Sequence, residues 1–208
     1  MPTRSALLKD PTLGLHRYLP LIKAAEGKRL NKAKTHHVIY KDNKGYYTIG
    51  YGHLLGRTLE KAKKSPYWGK QLTHKEADAL ALKDIGSKVD KIDRDFGTSW
   101  AYWGTPLQDK VVDSYFRGGL PGSPKTKGLM REGSFAKAGT EFLKSQEYLD
   151  SVADGSGIAP RMRGLSDALA AEAVRQEEIR ANKTRKAAKT KVIPKEVSFR
   201  DTVENRLS

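Results

Sequence analysis

Two carboxyl groups and a hydroxyl group near the start of the chain, those of Glu26, Asp42 and Thr48, are suited to acid–base chemistry. One carboxyl group can donate a proton while a second, ionised one acts as a base. A threonine hydroxyl can both donate to and accept from a water molecule. The three residues could therefore form one reactive site if the fold brings them together.

The charge distribution around these acids is unusual. The first 57 residues contain eleven lysines and arginines but only three acids, Asp10, Glu26 and Asp42, although the whole chain has 24 acids. A carboxylate in a basic neighbourhood stays ionised easily, whereas a partly buried one can keep its proton. The alternative is that Asp42 only stabilises a turn and that Glu26 only faces solvent at a helix end.

The elements that must position these side chains are a short helix and a β-hairpin. Apolar spacing predicts the helix from about Leu19 to Glu26, with Gly27 ending it. Residues 38–40 and 46–51 are rich in β-branched and aromatic residues, and residues 42–45 between them have turn chemistry. The hairpin places Asp42 in its turn and Thr48 in its second strand.

The motif around the hairpin is similar to a known family signature. The segments E-G-K-R-L (residues 26–30) and I-Y-K-D-N-K-G-Y-Y-T-I-G-Y-G-H-L-L (residues 39–55) resemble the active-site signature of phage-type lysozymes, which are inverting muramidases that cut peptidoglycan. The resemblance implies that Glu26 is the general acid, that Asp42 is the base and that Thr48 positions the attacking water. An inverting glycosidase needs its two carboxyl groups about 6.5–9.5 Å apart.

The same resemblance implies a set of substrate-binding residues. Tyr40 and Leu54 belong to the signature, and Phe116 and Arg117 end a helix that closes on the cleft in the family. Arg161 lies in a basic stretch that resembles the one before the family's last helix, where it would contact the cleft or an anionic peptide stem. Arginine at position 117 departs from the amide side chain expected there, and core packing is an alternative role for Phe116.

The connection between Glu26 and the hairpin is longer than the family pattern. Residues 30–37 form an insert, which we expect to be a loop near the cleft. The insert ends in His36 and His37, which lack acidic or cysteine neighbours and are interpreted as loop residues, so no metal site and no cofactor is expected. His53 is interpreted as a structural histidine that is paired beneath the cleft.

A long helix is predicted to join two lobes. Thr73 and Glu76 form a capping box at its start, and an apolar series follows them. With the resemblance, this predicts an α+β, lysozyme-like fold with a small β-hairpin lobe and a larger helical lobe. The substrate cleft would lie between the lobes.

The larger lobe is predicted to contain further helices. One begins at Thr105, with Gln108 completing a capping pattern, and ends near Gly118. Residues 120–133 are predicted to be a loop, because they contain two prolines and several glycines, and residues 134–145 a helix. A last helix is predicted from Gly164.

Composition suggests three parts of the chain. Residues 1–18 are a lead segment, residues 19–174 the lysozyme-like catalytic domain and residues 175–208 a basic C-terminal tail that is helical or extended. Within the tail, residues 180–191 carry six basic residues and no acid. A solvated helix or disorder is typical of such sequence in isolation.

The overall charge indicates polyanionic partners. The net charge is +15 and the isoelectric point is near 9.8, which suits the anionic cell envelope or non-specific contact with nucleic acid. The absence of cysteine excludes disulfides and thiolate metal sites. No apolar run is long enough to span a membrane, and the N-terminus is not typical of a signal peptide.

These observations lead to one functional hypothesis and two alternatives. The hypothesis is an N-acetylmuramidase that hydrolyses the β-1,4 bond between N-acetylmuramic acid and N-acetylglucosamine. It would be made in the host cytoplasm and carried at the tail or baseplate of a phage particle, where virion proteins would contact the C-terminal tail. The alternatives are a free endolysin that depends on a holin, and a virion structural protein that uses a lysozyme-like domain for assembly or glycan binding.

Overall fold

The computed structural model describes residues 14–26, 28–42 and 44–192, with side chains described as far as residue 188. Over these residues the chain has the predicted α+β fold, in which helices dominate and the strands form two small antiparallel sheets. The helices within the described ranges are α1 (Leu19–Ala25), α2 (Leu59–Lys63), α3 (His74–Phe96), α4 (Thr105–Arg117), α5 (Pro124–Arg131), α6 (Phe135–Phe142), α7 (Gln146–Ala153) and α8 (Ile158–Val192). The strands are β1 (His36–His37), β2 (Tyr40–Lys41), β3 (Tyr47–Ile49), β4 (His53–Gly56) and β5 (Leu72–Thr73).

The predicted hairpin is present as β2 and β3, and β4 adds a third antiparallel strand to it. Tyr40 pairs with Thr48 across the first two strands, and Thr48 pairs with Leu54 across the next two. The strands are shorter than predicted, since β2 begins only at Tyr40. The three-stranded sheet therefore fixes Thr48 at its centre, between two residues predicted to contact substrate.

Helix α3 joins two hydrophobic cores, as predicted. Its first half contributes Ala77, Leu80 and Ala81 to the core beneath the small sheet, and its second half contributes Ile85 and Ile92 to the helical core. The predicted capping box fixes its start. The Thr73 hydroxyl accepts from the Glu76 amide at 3.2 Å, and a Glu76 carboxylate oxygen accepts from the Thr73 amide at 2.8 Å.

Two predictions about the helical lobe were wrong. Residues 120–133, predicted to be a loop, form a 3₁₀ turn (Leu120–Gly122) followed by α5, because Thr126 and Met130 lie one turn apart and are both buried. Gln108 does not cap α4. Its side chain donates instead to the carbonyls of Ala101 and Trp103, at 3.0 and 2.9 Å.

Helix α8 begins six residues earlier than predicted, at Ile158, and continues into the segment that was assigned to the tail. Buried Glu172 attaches α8 to the loop before α4, since its carboxylate accepts from the Gly104 amide at 2.9 Å. The same carboxylate also accepts from Arg175, one turn further along α8. Beyond this anchor, residues 181–188 are all exposed. The three-part division of the chain remains a prediction, and residues 1–13 of the lead segment and 193–208 of the tail lie outside the described residues.

The insert at residues 30–37 is more ordered than a loop. Leu30 bridges to His37, and His36–His37 pairs as β1 with β5, so the insert is attached to the start of α3. The His37 side chain is fully buried and its ring packs edge-on against Tyr51, with ring centroids 4.8 Å apart. Its Nε2 lies 3.2 Å from Nδ1 of His74. The end of the insert therefore packs against the small-lobe core through His37, whereas residues 32–35 are exposed.

Buried His37 predicts a loss of stability in mild acid. Its pKa is lowered from 6.5, mainly by burial and then by the charge of His74, with Lys28 acting in the same direction and the Gly50 backbone and Asp78 opposing. Between 6.5 and this lower value the unfolded chain binds a proton at His37 that the folded protein does not. The stability that neutral, buried His37 contributes is therefore fully present above pH 6.5. It is lost as the pH falls from 6.5 to the lowered pKa of His37.

The urea midpoint of the wild type should fall more steeply with pH than that of His37→Phe, which keeps an aromatic ring in place but cannot titrate. Urea unfolding at several pH values between 5 and 8 measures this, with His36→Phe on the same strand as the control. Parallel curves for the wild type and His37→Phe would show that another group causes the acid sensitivity.

Candidate active site

Glu26 lies at the end of α1, where the chain leaves the helix. Its backbone is extended, and its amide donates to the Ile22 carbonyl at 2.8 Å. Ile22 is fully buried and anchors the helix in the larger core. The side chain of Glu26 is 20 % exposed, so the carboxyl group is partly shielded from water.

Asp42 lies in the turn between β2 and β3, as predicted. Its Oδ1 accepts from the amides of Lys44 and Tyr46, both at 2.9 Å, and its carbonyl accepts from Gly45, whose φ of +78° favours glycine. These hydrogen bonds hold the carboxylate by one oxygen. Asn43, the next residue, lies outside the described residues.

Thr48 is buried at the centre of the sheet, with 3 % of its surface exposed. Its hydroxyl donates to the Tyr40 carbonyl at 3.3 Å. Ile49, the next residue, points into the small-lobe core and is fully buried, so alternation along the strand turns Thr48 to the opposite face. The strand thereby fixes the position of the hydroxyl.

The side chain of Tyr40 links the three predicted catalytic residues. Burial is the main cause that raises its pKa, and the negative charges of Glu26 and Asp42 raise it further. Hydrogen bonds with the Thr48 side chain and the Gly52 backbone oppose the rise. The charges of Glu26 and Asp42, which lie on different elements, thus both raise the pKa of the Tyr40 phenol group. The same phenol group also hydrogen-bonds to Thr48 on the neighbouring strand.

Two features favour glycine at position 52. Its φ is +85°, and a Cβ atom there would lie 3.2 Å from Oε2 of Glu26. Next to it, Nδ1 of His53 lies 2.8 Å from Oδ2 of Asp84 on α3. This pair has the structural role predicted for His53, since it attaches β4 to α3.

A cation from the last helix reaches the candidate general acid. Nη2 of Arg161 donates to Oε1 of Glu26 at 3.1 Å and to Oδ1 of Asp113 at 2.6 Å, and Nε of Arg161 lies 3.4 Å from Oδ2 of Asp113. Asp113 was not identified from the sequence. The signal that could have found it is an acid on α4 within the apolar series that contains Val111 and Val112.

The other predicted substrate-binding residues have different surroundings. Leu54 on β4 is exposed, with 46 % of its surface accessible, so it can contact a ligand. Phe116 is half-buried and packs against the helical core. The guanidinium of Arg117 pairs with Glu147 on α7 at 3.1 Å and is only 13 % exposed. The substrate-binding roles of these residues remain predictions.

The α+β fold, with one core beneath a small sheet and a larger helical core, is consistent with a lysozyme-like architecture. A comparison with family models then matches residues 28–113 to the family named Phage lysozyme, which confirms the resemblance recognised in the motif. The match spans Asp42 and Thr48 and ends at Asp113, whereas Glu26 and Arg161 lie outside it. No curated protein matches the chain significantly. Among the described helices, none is long and apolar enough to cross a membrane.

Proposed function

We propose that this protein is an N-acetylmuramidase that hydrolyses the β-1,4 bond between N-acetylmuramic acid and N-acetylglucosamine in peptidoglycan. The family match supports a peptidoglycan-degrading glycoside hydrolase. The observation that supports the specific site most strongly is the combined action of Glu26 and Asp42 on Tyr40, which also bonds to Thr48. The charges of two acids from separate elements thus reach one phenol group beside a hydroxyl group, and glycoside hydrolysis requires two carboxyl groups at one site.

In the proposed reaction each group has one role. Glu26 donates its proton to the glycosidic oxygen as the bond from that oxygen to the sugar C1 breaks. A water held by Thr48 attacks C1 from the opposite face, and Asp42 accepts the proton that the water loses. The products are a reducing muramic acid end and a free 4-hydroxyl group on the N-acetylglucosamine. Asp42 then releases its proton to solvent and Glu26 regains one, which restores the starting state.

The environment of each acid supports this division of roles. Asp42 accepts two backbone hydrogen bonds through Oδ1, which fix the position of the carboxyl group that we assign as the base. Glu26 has one oxygen, Oε1, bonded to Arg161 and the other, Oε2, beside Gly52. Because glycine leaves space there and Tyr40 bonds to the same backbone, Oε2 is the oxygen we assign to proton donation.

The proposed substrate contacts follow from the positions of the side chains in the sheet and from the exposure of Leu54. Tyr40 and Leu54 lie on either side of Thr48 in the sheet, and Arg161 lies behind Glu26. We assign the sugar contacts first to Tyr40 and Leu54. Arg117 is assigned a supporting role, because its guanidinium is held by Glu147.

The delivery route is a separate part of the proposal. We propose a phage particle that carries the protein to the wall, because the exposed basic end of α8 offers a surface for virion proteins or other polyanions. A free endolysin uses the same chemistry, and a purely structural virion protein would not need intact Glu26, Asp42 and Thr48. Detection of the protein in purified particles separates the first two.

Digestion of purified peptidoglycan tests the enzymatic proposal. Muropeptides that end in reducing muramic acid, identified by mass after borohydride reduction, are expected. Reducing N-acetylglucosamine ends would indicate a glucosaminidase, and 1,6-anhydromuramic ends would indicate a non-hydrolytic cleavage. Either result would overturn the assignment.

A further inference from the structure

The strongest unassigned feature is the way in which the Arg161 guanidinium is shared. Two of its nitrogens face the Asp113 carboxylate, at 2.6 and 3.4 Å, whereas one nitrogen reaches Glu26, at 3.1 Å. The side chains of Arg161, Glu26 and Asp113 are only 25, 20 and 17 % exposed. Solvent screening between them is correspondingly weak.

This arrangement answers a conflict in the proposed mechanism. A cation in direct contact with a carboxyl group favours its ionised form, yet a general acid must hold a proton. The Asp113 carboxylate, which binds the same guanidinium, offsets the positive charge of Arg161. Burial acts to lower the pKa of Arg161, but the hydrogen bond and charge of Asp113, followed by those of Glu26, raise it overall. Arg161 is thus a full cation that is held mainly by Asp113.

We propose that Asp113 is a positioning residue for the general acid. It fixes Arg161 through two contacts and offsets its charge, so that Arg161 orients Glu26 without keeping it ionised. This inference rests on the proposed muramidase function. Asp113 acts through Arg161, and its role is distinct from proton donation by Glu26.

The electrostatic environment of Glu26 is built by side chains from several elements. Among the described residues, Arg161 from α8 bonds to Glu26, and Asp113 from α4 lies behind Arg161. Tyr40 from β2 is affected by the charges of both Glu26 and Asp42, the latter in the turn after β2. Tyr40 stays neutral at ordinary pH because its pKa is raised. The balance between Arg161 and the two acids, Asp42 and Asp113, therefore sets the charge near Glu26.

Asp113→Asn tests the proposal, because asparagine keeps the shape and an acceptor for Arg161 but removes the charge. The rate of glycan hydrolysis falls at high pH when the general acid loses its proton. In Asp113→Asn this fall should occur about half to one pH unit lower than in the wild type. The pH profile is measured on soluble peptidoglycan fragments at constant ionic strength.

Asp109→Asn is the matched control. Asp109 lies one turn earlier on α4 and pairs with Arg17 at 2.5 Å, so the variant has the same net charge and also loses an ion pair of the same helix. Its profile should superimpose on that of the wild type. A lower rate with an unshifted profile in Asp113→Asn, or equal shifts in both variants, would contradict the positioning role.

A readout without turnover separates this inference from the proposed function. In protein labelled with ¹³C at the glutamate side-chain carboxyl groups, the Glu26 resonance is identified by its absence in Glu26→Gln. Its titration midpoint should be lower in Asp113→Asn than in the wild type and unchanged in Asp109→Asn. That result would support the role of Asp113 even if no hydrolysis occurred, and an unchanged midpoint in Asp113→Asn would refute it.

Discussion

Glu26→Gln should lower the rate of peptidoglycan hydrolysis by about 10²–10⁴-fold, the usual contribution of a general acid. The amide has nearly the same size, and its oxygen can still accept from Arg161, so the side chain should keep its place beside Gly52. It cannot donate a proton to the leaving oxygen at a useful rate. The release of reducing ends from purified peptidoglycan measures the loss.

The same substitution at an exposed site controls for changes in charge. Glu132 follows α5 and is exposed, so Glu132→Gln should retain the wild-type rate. Thermal unfolding of both variants shows that each is folded. A folded Glu26→Gln protein with wild-type turnover would remove Glu26 from the mechanism.

Asp42→Asn should also reduce turnover strongly, by about 10²-fold or more, because the water would lose its base. The substitution is informative because it preserves the turn. The asparagine oxygen can accept from the amides of Lys44 and Tyr46 as the aspartate does, so the hairpin should keep its geometry. Only the negative charge of the carboxylate is removed. Initial rates at substrate saturation measure the effect.

Asp154 provides a control with the same local structure. Its carboxylate accepts from the Ser156 amide at 2.8 Å in an exposed turn after α7, so Asp154→Asn makes the same chemical change in a similar turn. This variant should retain full activity. If Asp42→Asn retained it too, the role of Asp42 would be confined to the turn.

The local part of the candidate site could be predicted from the sequence because its geometry is set within a few residues. The turn at Asp42 and the strand at Thr48 follow from turn chemistry and β-propensity over residues 38–51. The start of α3 follows likewise from Thr73 and Glu76. Each of these features depends on neighbours in the chain and needs no knowledge of the tertiary fold.

The long-range part could not be predicted in this way. Asp113 and Glu26 are 87 residues apart, and only the packing of α4 against α8 places Arg161 between them. The helix α5 was missed because its proline and glycine are typical of a loop, whereas burial of Met130 decides its structure. The insert was predicted to be a loop because the burial of His37 against Tyr51 has no signal in the local sequence.

The most direct test of the proposed mechanism is digestion of purified peptidoglycan in ¹⁸O-labelled water by the wild type and Glu26→Gln in parallel. One ¹⁸O atom, seen as an increase of about 2 Da, is expected at C1 of reducing muramic acid in the wild-type products. Almost none of this product is expected from the folded variant. Label on N-acetylglucosamine ends, unlabelled anhydromuramic ends, or no cleavage by the folded wild type would contradict hydrolysis at this site.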